Sequence, residues 1–354
     1  MSPTRWFLVA VSFAAALGVS VWVVVSSWPQ GGGGVLLPFR AHLFAIGLTA
    51  LDIAARATKL RWSARAIGFE LSLRPALRAT LGGDFGGAIT PSRAGTEPTR
   101  FLILTEANVG AGNAVVLLFT ELALEVLSLL IFVIALAFTF PRLGRALIGF
   151  AGVVGGFVAL LVGGLAIASL LSHPDRRRGG PPRWASVLGL HAIRWRRMQR
   201  TLRQLRERLG ALRRARRGWA FGALAASLLH VAARIAVLAA LVRTVAPAVS
   251  LAPLILWPLT LYYGAGIAPA PGGGGVVEVA YRSALSGIIP VAFLGASLVW
   301  WRFYTFYLPM LAGAIVAGRA VSRALRANAG DASDASDESP NAGESGTVEQ
   351  VRST

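Results

Sequence analysis

The feature that most constrains the fold of this chain is the grouping of its apolar residues into blocks of about 20, the length with which a helix spans a hydrocarbon layer of roughly 30 Å. The blocks lie at 6–25, 42–57, 114–138, 146–171, 219–241, 251–267 and 289–317. Only 14% of the 354 residues are charged, against about 25% in soluble domains. The sequence therefore predicts an all-α, polytopic transmembrane helix bundle.

The distribution of arginine predicts the orientation of this bundle. The formal net charge is +19, and the most basic stretch is 172–218. Because cytoplasmic loops are rich in Arg and Lys, we expect this loop and the C-terminus to be cytoplasmic, in an inner (plasma) membrane. The same rule accounts for the charge without nucleic acid, so we predict no nucleic-acid partner. The loop contains leucines at helical spacing, which fits either an amphipathic helix on an anionic leaflet or a solvated helix that fixes topology.

Both ends of the chain differ from the middle. Residues 6–25 form a longer apolar run than the 7–15 residues usual in a signal peptide, which favours an uncleaved first span over a cleaved signal. From Asn328 onward the chain is rich in Asp, Ser, Glu and Gly, a composition typical of disorder. We therefore predict a transmembrane domain at 1–327 and a disordered acidic tail at 328–354.

Two regions are too irregular for simple spans. The block at 42–57 contains Asp52 and precedes a basic stretch that starts at Arg56 and includes Lys59, which we interpret as a cytoplasmic loop. If this stretch and 172–218 lie on one side, residues 79–112 must enter and leave the membrane on that side. The same reasoning applies to 249–288. Both regions are predicted to be re-entrant segments or pairs of short helices.

Each irregular region contains a proline, a glycine four residues later, then a glutamate and an arginine. These residues are Pro91, Gly95, Glu97 and Arg100 in the first region and Pro271, Gly275, Glu278 and Arg282 in the second. Paired Pro/Gly breaks in two halves of a membrane protein indicate a transporter binding site and a possible internal repeat. The alternative is that they only form tight connecting loops.

A break of this kind has a physical reason to line a polar cavity. Irregular backbone cannot face lipid, because its unpaired N–H and C=O groups would each cost several kcal/mol. A helix that begins at the break points its N–H groups into the cavity, where they suit a phosphate. Arg93 and Arg100 could add bidentate contacts. Glu97 and Glu278 could hold the arginines or contact a cationic head group.

Several charges lie within the apolar blocks, where each costs at least about 2.5–3.5 kcal/mol on insertion scales. Glu121 and Glu125 share one helix face, as do His230 and Arg234. We predict that the two sets pair, either as a structural ion pair or in a substrate site. Arg302 is a further such charge, and an interfacial position in an aromatic belt is its alternative.

Three segments of the chain resemble the lysylphosphatidylglycerol synthase transmembrane-region family, also called flippase-like domain proteins. Residues 90–100 resemble its first signature, 269–278 its second, and 301–309 its last-helix signature, and the resemblance covers about residues 5–326. The chain departs from the family at Thr96 and Gly274. The resemblance implies the movement of a phospholipid or a lipid-linked sugar between leaflets. The full synthases carry an aminoacyl-transferase domain after the membrane region, and this chain has a short tail there, so no aminoacylation is expected.

Together these arguments predict a lipid flippase-like protein that binds an anionic phospholipid or a lipid-linked substrate. The predicted substrate-binding residues are Arg93, Gly95, Glu97, Arg100, Glu121, Glu125, Pro271, Gly272, Gly273, Glu278, Arg282 and Arg302. The chain lacks cysteine and its four histidines are scattered, so we predict neither a metal nor a cofactor. One alternative is a membrane-embedded glycosyl- or acyltransferase that acts on a lipid carrier, with Glu97 or Glu278 as the base. Another is a non-transporting protein that recruits enzymes through 172–218.

Overall fold

The computed structural model describes residues 36–141, 144–171, 217–266, 268 and 270–317, together with Gly18, Trp22, Val25 and Ser26. Its regular structure is helical throughout, which confirms the predicted all-α bundle. The helices in these residues are α1 Phe39–Ala66, α2 Leu73–Ala88, α3 Thr96–Glu106, α4 Ala111–Thr139, α5 Gly144–Leu171, α6 Arg217–Arg243, α7 Leu251–Gly264, α8 Val276–Leu285 and α9 Val291–Arg302. A π-helical turn at Phe303–Tyr307 continues α9 into a helical segment at 308–317.

The helix lengths follow the same order in the two halves of the chain, as expected of an internal repeat. Helices α1 to α4 run long, short, short, long, with 28, 16, 11 and 29 residues. Helices α6 to α8 have 27, 14 and 10 residues, and α9 with its continuation is the fourth, long member. In each set a Pro/Gly segment joins the two short helices, and α5 lies between the sets.

The surface of the bundle suits a membrane. By length and composition, three helices of the described part could cross one: Ala111–Thr139, Leu147–Gly164 and Arg217–Arg243. Large apolar side chains such as Phe138, Ile148 and Ile315 are exposed, as expected where lipid covers the protein. In α6, by contrast, 67% of the most apolar window is buried inside the protein, which places this helix at the centre.

The core is organised around α1 and α6, which pack along each other. One apolar cluster joins the first part of α1 and the second half of α6 to α7, α8 and α9. Another joins the second part of α1 to α2, α3 and α4. A third links α4 and α5 to α6 and α7. The two long central helices thus hold the two short-helix pairs in place.

Helix α1 corrects the predicted end of the second span. It continues to Ala66 rather than stopping near Ala57, so the charged residues that follow Ala55 lie within the helix. Arg56 and Lys59 turn inward, with side chains 13% and 6% exposed. The interpretation of these two residues as loop charges is therefore wrong. The predicted first span at 6–25, apart from Gly18, Trp22 and Val25, nearly all of the basic loop at 172–218 and the tail at 328–354 lie outside the described residues.

Candidate functional site

The two Pro/Gly segments, which come from opposite halves of the chain, meet in the folded protein. Pro91 and Pro271 form an isolated antiparallel β-bridge. Beside it the Ser92 hydroxyl donates a hydrogen bond to the carbonyl oxygen of Ala268 over 3.0 Å. The Pro/Gly motif that the two segments share in sequence is therefore also the place where they contact each other in the structure.

Both segments have the same backbone turn. The N–H three residues after the proline donates to the proline carbonyl over 3.0 Å in each, from Ala94 and from Gly274. The two residues that follow each proline have positive φ. These angles are 51° at Ser92 and 55° at Arg93 in the first turn, and 58° at Gly272 and 72° at Gly273 in the second. Each turn leads into a short helix, α3 or α8.

Glycine allows α2 and α3 to pack as a close antiparallel hairpin. A Cβ atom added at Gly83 would meet the Arg100 side chain, and one added at Gly86 would lie 2.6 Å from the carbonyl oxygen of Gly95. The Gly86 position would also overlap the hydroxyl of Thr99. Small residues at four-residue spacing permit such contact between helix backbones. This hairpin corresponds to the pair of short helices predicted for 79–112, except that its first helix already begins at Leu73, within the stretch interpreted as a loop.

The two turns differ in exposure. Pro91, Ser92 and Ala94 are exposed, whereas Pro271, Gly272 and Gly273 are buried. The ring of Phe306 lies where a Cβ of Gly272 would be. Of the predicted binding residues, those in the second turn are thus covered by protein, and the first turn presents the open surface.

The N–H donors of the Arg93 guanidinium make no hydrogen bond within the described residues. It lies 3.8 Å from Asp84 Oδ1 and 4.7 Å from the centre of the Tyr262 ring. Its side chain is only 17% exposed. Near it, the buried hydroxyl of Thr96 at the start of α3 also has no partner among the described residues. A guanidinium has five N–H donors, so this side chain is available to an anion.

A chain of ion pairs runs inward from Arg93. Asp84 accepts two hydrogen bonds from Arg56, over 3.0 and 2.8 Å. Arg56 lies 3.2 Å from Asp52, and Asp52 accepts a hydrogen bond of 2.6 Å from Arg234. Arg234 stacks on Tyr262, at 4.1 Å from the ring centre. Tyr262 is therefore in contact with the guanidinium groups at both ends of this chain.

The chain continues to Glu125 on α4. This carboxylate accepts a hydrogen bond of 2.6 Å from Lys59 and lies 2.9 Å from His230 Nε2. It also accepts a hydrogen bond from the hydroxyl of Tyr263. The predicted pairing between the acids of α4 and the bases of α6 is confirmed for Glu125 and His230. Arg234 pairs with Asp52 instead.

The other charges of the first motif pair with one another. Arg100 donates to Glu97 over 3.1 Å and forms an ion pair with Glu121 of α4. Glu121 is 3% exposed at its side chain, whereas Glu97 is 57% exposed. Arg100 is thus used mainly to join α3 to α4.

The second motif has its own buried ion pair. Arg302 donates to Glu278 over 2.9 Å and stacks on Phe306, 4.4 Å from the ring centre. Only 6% of Arg302 is exposed, so the interfacial alternative for this residue is wrong. Arg282 contacts the hydroxyl of Ser26 in the N-terminal segment and does not join this pair.

Sequence reasoning missed the part of the network on α1 and α2. Asp52, Arg56, Lys59 and Ser63 follow one another at spacings of four, three and four, which is the signal of one helix face. The same count, applied to charges rather than to apolar residues, would have placed the two bases inside the bundle. Asp84, by contrast, has no comparable signal in its glycine-rich surroundings.

Comparison with known proteins identifies one family. A sequence model of the lysylphosphatidylglycerol synthase TM region matches residues 5–313. A search of curated proteins found no match.

Proposed function

The chain belongs to the lysylphosphatidylglycerol synthase transmembrane-region family, and we propose that it moves an anionic phospholipid or a lipid-linked substrate between the two leaflets of its membrane. The observation that carries this proposal is the position of Arg93. It lies in the exposed turn of a broken helix, beside a second such turn, and at the outer end of a buried ionic network.

The chemistry of Arg93 favours an anionic head group. Its guanidinium can bind a phosphate through two parallel hydrogen bonds, and Thr96 can contribute a hydroxyl. The start of α3 adds the positive end of a helix dipole. Broken helices with this chemistry are typical of transporter binding sites. The exposed apolar surface of the bundle lets the acyl chains remain in lipid while the head group binds.

The geometry favours transport over group transfer. A transferase would need a carboxylate base near the head group, and the two candidates were Glu97 and Glu278. Glu97 is engaged by Arg100, and Glu278 is buried against Arg302. Both carboxylates are thus held in ion pairs.

Lipid exchange in reconstituted vesicles tests the proposal. The full chain is placed in phosphatidylcholine vesicles that contain fluorescent phosphatidylglycerol, and the rate of leaflet exchange is measured by quenching of the outer leaflet. Hydrogen bonds to a charged group contribute about 1.5–3 kcal/mol, so Arg93→Ala should lower the rate by about 10- to 100-fold. Arg74→Ala, which alters an exposed arginine of α2, serves as the matched control and should leave the rate unchanged.

Two results would contradict the proposal. The first is a wild-type rate no higher than that of protein-free vesicles. The second is an equal rate for the Arg93→Ala and Arg74→Ala variants.

A further inference from the structure

His230 lies between two carboxylates in the centre of the bundle. Its Nε2 is 2.9 Å from Glu125 and its Nδ1 is 3.4 Å from Asp52. The residue is 1% exposed. Within the described residues, neither its Nδ1 nor the facing Oδ1 of Asp52 has a hydrogen-bond partner. A polar pair of this kind costs free energy when it is buried without a bond between its members.

A neutral His230 has fewer N–H groups than there are carboxylates facing it. A neutral imidazole carries one N–H, so it can donate to Glu125 or to Asp52 but not to both. The other nitrogen then presents its lone pair to a carboxylate, except that Lys59 lies 3.4 Å from Nε2 and can donate to it. An imidazolium has two N–H groups and satisfies both carboxylates. The surroundings of His230 thus have a partner for each ring nitrogen in both states: Asp52 and Lys59 for the neutral imidazole, and the two carboxylates for the imidazolium.

Around His230 the fixed charges face it from three helices. Asp52, Arg56 and Lys59 come from α1, Glu125 from α4 and Arg234 from its own helix, while Tyr262 and Tyr263 come from α7. With Asp84 of α2 included, three carboxylates offset three cationic side chains. Arg93, which approaches this set from the first turn, adds one positive charge.

An anion bound at Arg93 changes this balance. Without the anion, the cluster has one excess positive charge, and protonation of His230 raises the excess to two. With the anion bound, the cluster is neutral, and the same protonation raises the excess only to one. The effect is transmitted over short steps, because Arg93, Asp84, Arg56 and Asp52 follow one another at 3.8, 2.8 and 3.2 Å, and Asp52 faces His230. Charges in such a water-poor site interact more strongly than at a surface.

We propose that His230 is a proton-binding site coupled to the anion site at Arg93, so that each anionic lipid is carried together with one proton. The proposal rests on the proposed function, which it extends to the source of energy. The proton enters from one side, converts the imidazole of His230 to imidazolium, and leaves to the other side with the lipid. No bond of the lipid forms or breaks.

The proton site is tested by ¹⁵N NMR of the full chain with ¹⁵N-labelled histidine, at a fixed pH near neutrality. The spectrum of the His230→Gln variant is subtracted to isolate His230. We expect dihexanoyl phosphatidylglycerol to increase the imidazolium signal at least about twofold, and dihexanoyl phosphatidylcholine to leave it unchanged. Arg93→Gln should abolish the increase, and Arg74→Gln should not. If His230→Gln does not fold, a chain in which His42, His173 and His191 are glutamine gives the signal directly.

Transport supplies the second readout. In vesicles with phosphatidylglycerol, a gradient of one pH unit should drive the wild type to enrich the lipid in one leaflet by up to about tenfold, and an entrapped pH dye should report proton entry with the lipid. In His230→Gln, the gradient should no longer drive lipid movement, and no proton entry should accompany the lipid. Lipid movement with no effect of lipid on the imidazolium signal, or none of the gradient, would overturn the coupling and leave the proposed function intact. An imidazolium response without any lipid movement would support the coupled site and refute transport.

Discussion

Glu97 and Glu278 carry the same carboxylate in the first turns of α3 and α8, but they lie in opposite surroundings. Glu97 is exposed and pairs with Arg100 of its own helix, three residues away. Glu278 is buried and pairs with Arg302 of α9. Counted from the two prolines, the glutamates are one position apart, which on a helix turns the side chain by about 100°. This one-residue difference separates a surface pair from a core pair.

The two residues give a matched test of what burial does to an ion pair. Glu278→Ala would leave the Arg302 guanidinium buried without its carboxylate, and we expect it to lower the free energy of unfolding by about 3–5 kcal/mol. Glu97→Ala removes an exposed pair and should lower it by about 0–1 kcal/mol. Unfolding of both variants in detergent micelles measures the difference. Equal losses would show that Glu278 does not support Arg302.

At the level of helices, the α2–α3 hairpin depends on glycines that allow close approach. Gly82, Gly83, Gly86 and Gly87 all face side chains or backbone of α3 at distances that leave no room for a Cβ atom. This hairpin carries Asp84 inward to Arg56 and presents Arg93 at its tip. Its packing therefore sets the geometry of the proposed anion site.

A comparison of two helical glycines tests this packing. A Cβ at Gly86 would overlap Thr99 and the backbone of Gly95, whereas a Cβ at Gly47 in α1 would meet nothing within 4 Å. Overpacking costs about 1–3 kcal/mol, so we expect Gly86→Ala to lower the free energy of unfolding by this amount. Gly47→Ala should raise it by up to about 1 kcal/mol, because alanine favours a helix. Unfolding of both variants like the wild type in micelles would show that α2 and α3 have room for a Cβ atom at Gly86.

Hydropathy predicted the long helices well, and its failures have one cause. The ends of α4, α5 and α6 lie within three residues of the predicted limits. The error in α1 arose because Arg56 and Lys59 look like loop residues when partners distant in the sequence are unknown. Arg302 was ambiguous for the same reason. The partners Asp84, Glu125 and Glu278 come from other helices, and a hydropathy pattern does not show which helices pack together.

At the scale of the whole molecule, two similar halves meet along α1 and α6 and again where Pro91 approaches Pro271. The two matching Pro/Gly segments were recognisable in the sequence, but their contact was not, because it depends on how the halves pack. The predicted orientation across the membrane, with 172–218 in the cytoplasm, stays a prediction.

The contact between the halves can be locked reversibly. Bridged residues in antiparallel strands have Cα atoms about 4.5–5.5 Å apart, within the range of a disulfide, and the chain has no cysteine of its own. Pro91→Cys/Pro271→Cys should therefore cross-link on mild oxidation. If transport requires the halves to separate here, the oxidised protein should move lipid at least about tenfold more slowly than the same protein after reduction. Unchanged exchange in the cross-linked state would show that this contact stays closed during transport.

The backbone of the first turn is strained where that of the second turn is not. Gly272 and Gly273 adopt positive φ easily, whereas Ser92 and Arg93 hold nearly the same angles, at a cost of roughly 1–2 kcal/mol for each residue with a side chain. Selection for stability alone would favour glycine at both positions. The first turn accepts this strain, although a glycine turn of the same shape beside it avoids it. The side chain at Arg93 therefore matters more to the protein than the stability that glycine would add.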